Sequence, residues 1–337
     1  MEEHKNMENE TDAPSQPADP GDTVPRKQRS ENRGDLIFRW LCTLAAIVTI
    51  LIMVGIFAQL LKQSIPCFKK FGAAFLWDQK WDPASMTFGA ASSIYGTLAS
   101  TVIAMLLAVP ISLVIALFLV ELAHPTLSRI VGTAIELLAA IPSIIYGMWG
   151  LFVFVPFMAN HVQPFLQKTF GYVPLISVLL SGPPMGMGML TAGIILALMI
   201  LPFICAVSRD VFLMVPSVVK ESGYGMGATT WEVTRDITVR YGLQGIVGAA
   251  FLGLGRAVGE TMAITFVIGN NHAIRASLYA AGNTIASTLA NEFGEASDPI
   301  YLSSMIALGL VLFLMTFLVQ LAARWWLGRI ARAMGKT

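Results

Sequence analysis

The sequence predicts an all-α membrane protein with six transmembrane helices, and three observations carry that expectation. First, 55% of the 337 residues are hydrophobic and only 13% are charged, whereas a soluble chain carries roughly a quarter charged; the mean hydropathy is +0.67. Second, six apolar runs are long enough to cross a bilayer, which takes ~20 residues. Third, Lys and Arg are unequally shared between alternate loops, as membrane orientation requires.

The elements follow in order. Residues 1–34 are polar, with Pro14, Pro17, Pro20 and Pro25, a composition that buries too little to order itself; a disordered tail is expected. The first apolar run, Leu36–Leu61, is too long for a signal-peptide core and is expected to stay as a span. The others are roughly Ile94–Val120, Val131–Met158, Gly186–Val207, Gly245–Ile268 and Ile300–Leu321. Pro110, Pro142, Pro156 and Pro202 fall inside them, which spanning helices tolerate. Residues 35–330 thus form one transmembrane domain. Arg26, Lys27, Arg29, Arg33 and Arg39 flank the first span, and Arg324, Arg329, Arg332 and Lys336 follow the last. Both termini are therefore expected in the cytoplasm, although Lys62, Lys69, Lys70 and Lys80 lie on the other side.

Cys42, Cys67 and Cys205 are scattered, the first and last in apolar runs and Cys67 in a polar loop; with four dispersed histidines they suggest neither disulfide framework nor metal site. The chain ends Gly335-Lys336-Thr337, like the end of a phosphate-binding loop, but position 330 is Ile where that loop needs Gly. Nothing here suggests a nucleotide, cofactor or nucleic-acid site.

Two regions carry chemistry. The loop 208–244 has helical patches on either side of Gly225–Gly227, which predicts a compact knob able to enter a partner's groove. In the fifth run, Gly253-Leu254-Gly255-Arg256-Ala257-Val258-Gly259-Glu260-Thr261-Met262 places two charges near mid-span. Each costs at least ~2.5–3.5 kcal/mol there on insertion scales. Their i, i+4 spacing predicts one shared helix face and a pair. Such a pair suits either a structural lock, helped by Gly248, Gly255 and Gly259, or an Arg256 that offers its planar fork to a passing anion while Glu260 holds it between passages. Residue chemistry leaves both open. Thr261, Ser143 and Tyr146 are further donors. Glu136 is explained by snorkelling or a loop contact, and Arg209 with Asp210 by interfacial anchoring. In 269–299, Ile285, Leu289 and Phe293 recur at helical spacing, which predicts a short amphipathic helix on the outer surface or against the bundle.

Glu221-Ser222-Gly223, then Gly227, then Ile237-Thr238-Val239 resembles the EAA loop of bacterial ABC-importer permeases. In that motif Glu-Ala-Ala is followed by three residues, Gly, nine residues and Ile-x-Leu-Pro. Here Ser222 and Gly223 replace the alanines, Val239 the Leu and Arg240 the Pro. The stretches FGAASSIYGTLASTVIAMLLAVPISL, IELLAAIPSIIYGMWGLFVF, LGLGRAVGETMAITFVIGN and GNTIASTLANEF are similar to the C-type permease subunits of phosphate-specific (Pst) ABC importers, from about Asp35 to Arg332.

The resemblance implies a type I ABC-importer permease fold in the bacterial inner membrane. It implies a second related permease subunit, a cytoplasmic ATPase dimer that binds the ATP and Mg, and an external phosphate-binding protein. It gives Glu221, Ser222, Gly223, Gly227, Ala228 and Thr229 an ATPase-coupling role and favours a substrate path at Arg256, Glu260 and Thr261. The chain itself is then no enzyme. Rival readings are a permease for molybdate or sulfate, a proton-coupled transporter using Glu260, and a membrane scaffold or sensor.

Overall fold

The structure is a computed structural model and describes residues 33–333. The expected tail lies outside the described residues as far as position 32, and its last two residues, Arg33 and Gly34, already belong to a helix. Gly335-Lys336-Thr337 also lies outside. The described residues are helices and loops, with one isolated antiparallel bridge between Asp82 and Thr87. Among them six helical segments are long and apolar enough to span a membrane.

Two compact units divide at Val54 and Gly55. The first holds the opening of α1 (Arg33–Phe71), where Leu41, Ile50 and Leu51 are exposed. The second begins with the remainder of α1. Here Phe57 meets Phe313 at 5.6 Å, and Ser303 Oγ donates to Gln63 O (2.9 Å) while accepting from Cys67 N (3.0 Å). Cys67 is therefore buried in a helix rather than placed in a polar loop.

α2 (Ala91–Leu117) shows how a membrane helix finds its neighbour without a hydrophobic driving force. Its buried positions are Ser92, Ser93, Gly96, Thr97, Ser100, Thr101, Ala104, Ala108, Ser112 and Ala116. All are small and recur at helical spacing, so the backbone of a partner comes close. A π-helical turn, Phe118–Leu122, ends the segment.

The third span departs from its expected limits. α3 (Pro125–Ala139) stops before Ile141-Pro142, because a residue preceding proline is driven out of helical geometry. The span itself runs Ser143–Phe170. It is built from α4 (Ser143–Trp149), α5 (Val155–Phe157) and α6 (Gln163–Phe170), joined by π-helical turns. α7 (Pro174–Leu179) follows in the loop.

α8 (Met189–Leu213) is the central helix, with Ile195, Leu196, Ile200 and Ile204 fully buried. It lies along α2, where Ser112 Oγ donates to Leu201 O (3.0 Å). α9 (Ser217–Gly225), α10 (Thr230–Glu232) and a π-helical turn at Val233–Val239 form the knob. α11 (Arg240–Val258) runs back along α8; the long apolar helical segment that holds the fifth span is Thr230–Val258, which includes the second arm of the knob and ends before the expected limit at Ile268. After a break, α12 (Met262–Thr265) makes one short turn. α13 (Ile285–Glu292) opens with a capping box between Thr284 and Ser287. Its Ile285, Ala286, Ser287 and Thr288 are buried, so it packs on the bundle and is not a surface helix. α14 (Pro299–Ala333) closes the described chain.

Candidate functional site

The charged segment is split by a helix end. α11 stops at Val258, and Gly259-Glu260-Thr261 leave helical geometry before α12 begins. The i, i+4 relation between Arg256 and Glu260 is therefore not realised, and among the described residues no ion pair joins them. Glu260 is buried at 9% exposure, and its Oε1 accepts from Ala263 N–H (3.1 Å). It caps the new turn of helix, satisfying a backbone donor freed by the break. Thr261 sits at the N-cap position of α12 and its carbonyl accepts from Thr265 Oγ1 (2.7 Å).

Arg256 points the other way. It is exposed on this chain, in the last turn of α11, with its guanidinium 5.9 Å from the Phe203 ring centroid. The depth follows from packing. A methyl on Gly253 would lie 2.6 Å from Ile204 Cδ1, so α11 passes α8 near that helix's middle. A methyl on Gly255 would lie 2.5 Å from Gln320 Nε2 on α14. Gly248 has nothing within 4 Å, and at Gly259 the only neighbour is Gly255 O at 3.8 Å. Within this chain the close approach is thus made by Gly253 and Gly255, and Gly248 and Gly259 meet no other helix. The break also faces the restart of the third span, where Gly147 lies against Ala263 and Phe266. Tyr146 is not a free donor, since its hydroxyl donates to Leu138 O (3.1 Å).

The knob is built by its small residues. Gly227 turns the chain at φ +86°, a conformation only glycine adopts without strain. Thr229 caps α10 in a capping box with Glu232. Gly223 is buried, and a methyl there would lie 2.7 Å from Ile237 Cδ1 and 3.1 Å from Val233 Cγ2. The two halves of the resemblance, Glu221-Ser222-Gly223 and Ile237-Thr238-Val239, are thereby folded onto each other. Glu221, Ser222 and Gly227 are exposed, as are Val218, Met226 and Trp231, and Ala228 is half-buried.

Three clusters were not anticipated as sites. Glu121 Oε1 accepts from Lys220 Nζ (2.7 Å) and Thr238 Oγ1 (2.9 Å). Glu136 pairs with Arg209 (3.2 Å), a residue of the loop read as 208–244, so of the two readings of Glu136 the loop contact is the one formed. At the far end of α2, Glu292 accepts from Trp81 Nε1 (2.6 Å) and Tyr301 OH (2.7 Å) and meets His272 Nε2 (3.0 Å). Burial pushes the Glu292 carboxyl up, but its hydrogen bonds with His272, Tyr301 and Trp81 outweigh that and hold it below the usual range. These partners are far apart in sequence and share no periodicity, so only a polar residue beside an apolar run hinted at them.

A bundle of six membrane-length helices among the described residues, with a small-residue knob and a broken helix that ends just after an arginine, fits a class: the membrane component of a transport system. Residues 108–332 match the family described as the binding-protein-dependent transport system inner membrane component. Solved neighbours share the fold. A bacterial alginate ABC transporter, crystallised with an alginate pentasaccharide-bound periplasmic protein, superposes at TM-score 0.57 and 17% identity, covering 91% of this chain and 99% of that one. The inward-facing MetNI methionine ABC transporter gives 0.52 and 20%, covering 71% and 94%.

Among curated relatives, the phosphate transport system permease protein PstC of Mesorhizobium japonicum (strain LMG 29417 / CECT 9101 / MAFF 303099) is 50% identical over 301 residues, 89% of this chain and 92% of that protein. PstC of Pasteurella multocida (strain Pm70) is 50% identical over 302 residues, 90% and 94%. The chain belongs to the PstC permease family.

Proposed function

We propose that this chain is the permease subunit of an ATP-driven importer of inorganic phosphate in the bacterial inner membrane, with both termini cytoplasmic. A second permease subunit completes the membrane path. A cytoplasmic ATPase dimer docks on the knob, and an external phosphate-binding protein docks on the opposite face. ATP and Mg belong to the ATPase, and this chain performs no bond chemistry.

The observation that carries the reading is Arg256. A permanently charged guanidinium is exposed on this chain in the last turn of α11, level with Phe203 near the middle of α8. Facing lipid, it would be heavily penalised. Facing a path between two permease subunits, it offers several N–H donors in a planar fork to an oxyanion. Glu260 is engaged by Ala263 N–H, so it leaves Arg256 open and holds the break in place. Thr261 lies beside the break, where its hydroxyl donates to Gly259 O (3.4 Å), and it becomes a further donor toward the path when that bond opens. Closure of the ATPases moves the knob, rocks the bundle and opens the path to alternate sides.

Arg256→Gln removes the charge and the fork. Uptake of labelled phosphate by the assembled transporter should fall ~10–100-fold, the size of ~1.5–3 kcal/mol for hydrogen bonds to a charged group. Intact uptake ends this role for Arg256, and loss of assembly makes the residue a structural lock. Unlabelled phosphate should compete with the label, whereas sulfate and molybdate should not.

A further inference from the structure

The two arms of the knob meet at one carboxylate. Lys220 lies on α9, one residue before Glu221, and Thr238 lies in the π-helical turn that leads into α11. Both bond the same oxygen, Glu121 Oε1, at 2.7 and 2.9 Å. The Glu121 side chain is 8% exposed and that of Lys220 17%, so water competes little and one partner cannot leave without stranding the other. Glu121 stands in the π-helical turn Phe118–Leu122 that extends α2. Such turns put an extra residue into a helix and recur at functional positions.

α2 reaches far beyond this point. Its 27 residues correspond to a rod of roughly 40 Å. At the opposite end it is fastened again. Ser93 Oγ accepts from Asn283 Nδ2 (2.8 Å), and Thr97 Oγ1 accepts from Ile285 N–H (3.0 Å). Gly96 admits the Asn283 carbonyl, which a methyl group would overlap. Asn283 in turn touches His272 (2.8 Å), a partner of Glu292. Between its ends α2 lies along α8, and Gly193 of α8 receives Ile103, whose Cγ2 a methyl would approach to 2.5 Å. The rod is thus tied to the knob at one end and to the opposite face at the other.

We propose that Glu121 is the positioning residue through which both arms of the knob drive α2, so that α2 carries ATPase movement to the opposite face in parallel with α11. This deepens the transport reading and rests on it. A push on the α9 arm reaches Glu121 through Lys220, and a push on the second arm reaches Glu121 through Thr238 while it reaches α11 through the chain itself.

The test uses the complete transporter containing this chain, reconstituted in liposomes with ATP and inorganic phosphate. In Glu121→Ala, ATP hydrolysis should persist while phosphate moved per ATP falls roughly tenfold. Lys220→Met with Thr238→Val should do the same, and adding Glu121→Ala to that pair should do no further harm. Unchanged phosphate per ATP overturns the proposal, as does an equal fall in uptake and hydrolysis, which is what a merely structural role produces. If Glu121→Ala does not assemble, the Lys220→Met, Thr238→Val pair carries the same test, because it leaves Glu121 in place. Hydrogen exchange gives an independent readout. Loss of the fastening should speed exchange in both 217–225 and 233–239, and no change in either overturns the proposal. If the unaltered transporter moves no phosphate, the transport reading fails, and the exchange result still decides whether Glu121 fastens the knob.

Discussion

Glu292 shows how a single residue organises the face opposite the knob. Three side chains from distant segments, Trp81, His272 and Tyr301, converge on its carboxylate, and Trp81 stacks on His272 with ring centroids 5.7 Å apart. Its carboxyl is held below the usual range. The linkage sign follows: the stabilisation is full above the unfolded value near ~4.3 and is lost as pH falls through the lower folded value. Hydrogen exchange across 285–292 should therefore quicken as pH drops below about 4, after correction for intrinsic rates, and Glu292→Gln should flatten that dependence. Gly96 is a second residue with one tolerable identity. Gly96→Ala drives a methyl into a backbone carbonyl and should destabilise by ~1–3 kcal/mol, read as a lower midpoint in thermal unfolding in detergent.

Among the elements, α11 is the one whose limits matter most. The expected continuous span would have put Arg256 and Glu260 on one face. Its end at Val258 turns one outward and the other into a cap. The glycines report the same geometry. Gly253→Ala meets Ile204 at 2.6 Å, whereas Gly259→Ala meets only Gly255 O at 3.8 Å. The first should destabilise by ~1–3 kcal/mol and the second by under ~0.5 kcal/mol, compared in one unfolding series. In the knob, Gly223→Leu would force apart the arms that meet at Val233 and Ile237. It should lower phosphate-coupled hydrolysis while leaving the spans folded, which hydrogen exchange confined to 217–239 would register.

For the whole molecule, the knob presents Met226 at 82% and Trp231 at 68% exposure beside Val218. Large apolar side chains exposed on a small loop fit the ATPase-docking role proposed for the knob, and aromatic anchors carry much of such binding. Replacing both Met226 and Trp231 by Ala should abolish co-purification of the ATPase subunits, with insertion of this chain unchanged. Retained ATPase would move the docking face elsewhere. Much of this was legible beforehand. The six spans follow from composition, and the knob follows from glycine and small-residue spacing between two helical patches. The candidate path was half legible: a mid-span Arg and Glu stood out, but their separation did not, because nothing local states that the helix must stop at Gly259. The Ser92-to-Ala116 face of α2 is readable as a small-residue stripe, yet its partner α8 is not. The fastening of Lys220 and Thr238 to Glu121 joins positions 99 and 117 residues apart, a relation without any sequence period.

By itself the sequence determined the class of molecule, since hydrocarbon admits only segments that satisfy their own backbone, and their length and composition are local properties. It also determined that two helical patches would flank a glycine turn at 225–227 and that an arginine and a glutamate would stand in an apolar run. Tertiary structure alone decided which carboxylate each cation meets. Glu121 takes Lys220 and Glu136 takes Arg209, while Glu260 turns to a backbone N–H and leaves Arg256 exposed. Those pairings depend on where helices end and how closely small residues let them approach. Both are settled by packing between segments remote in sequence.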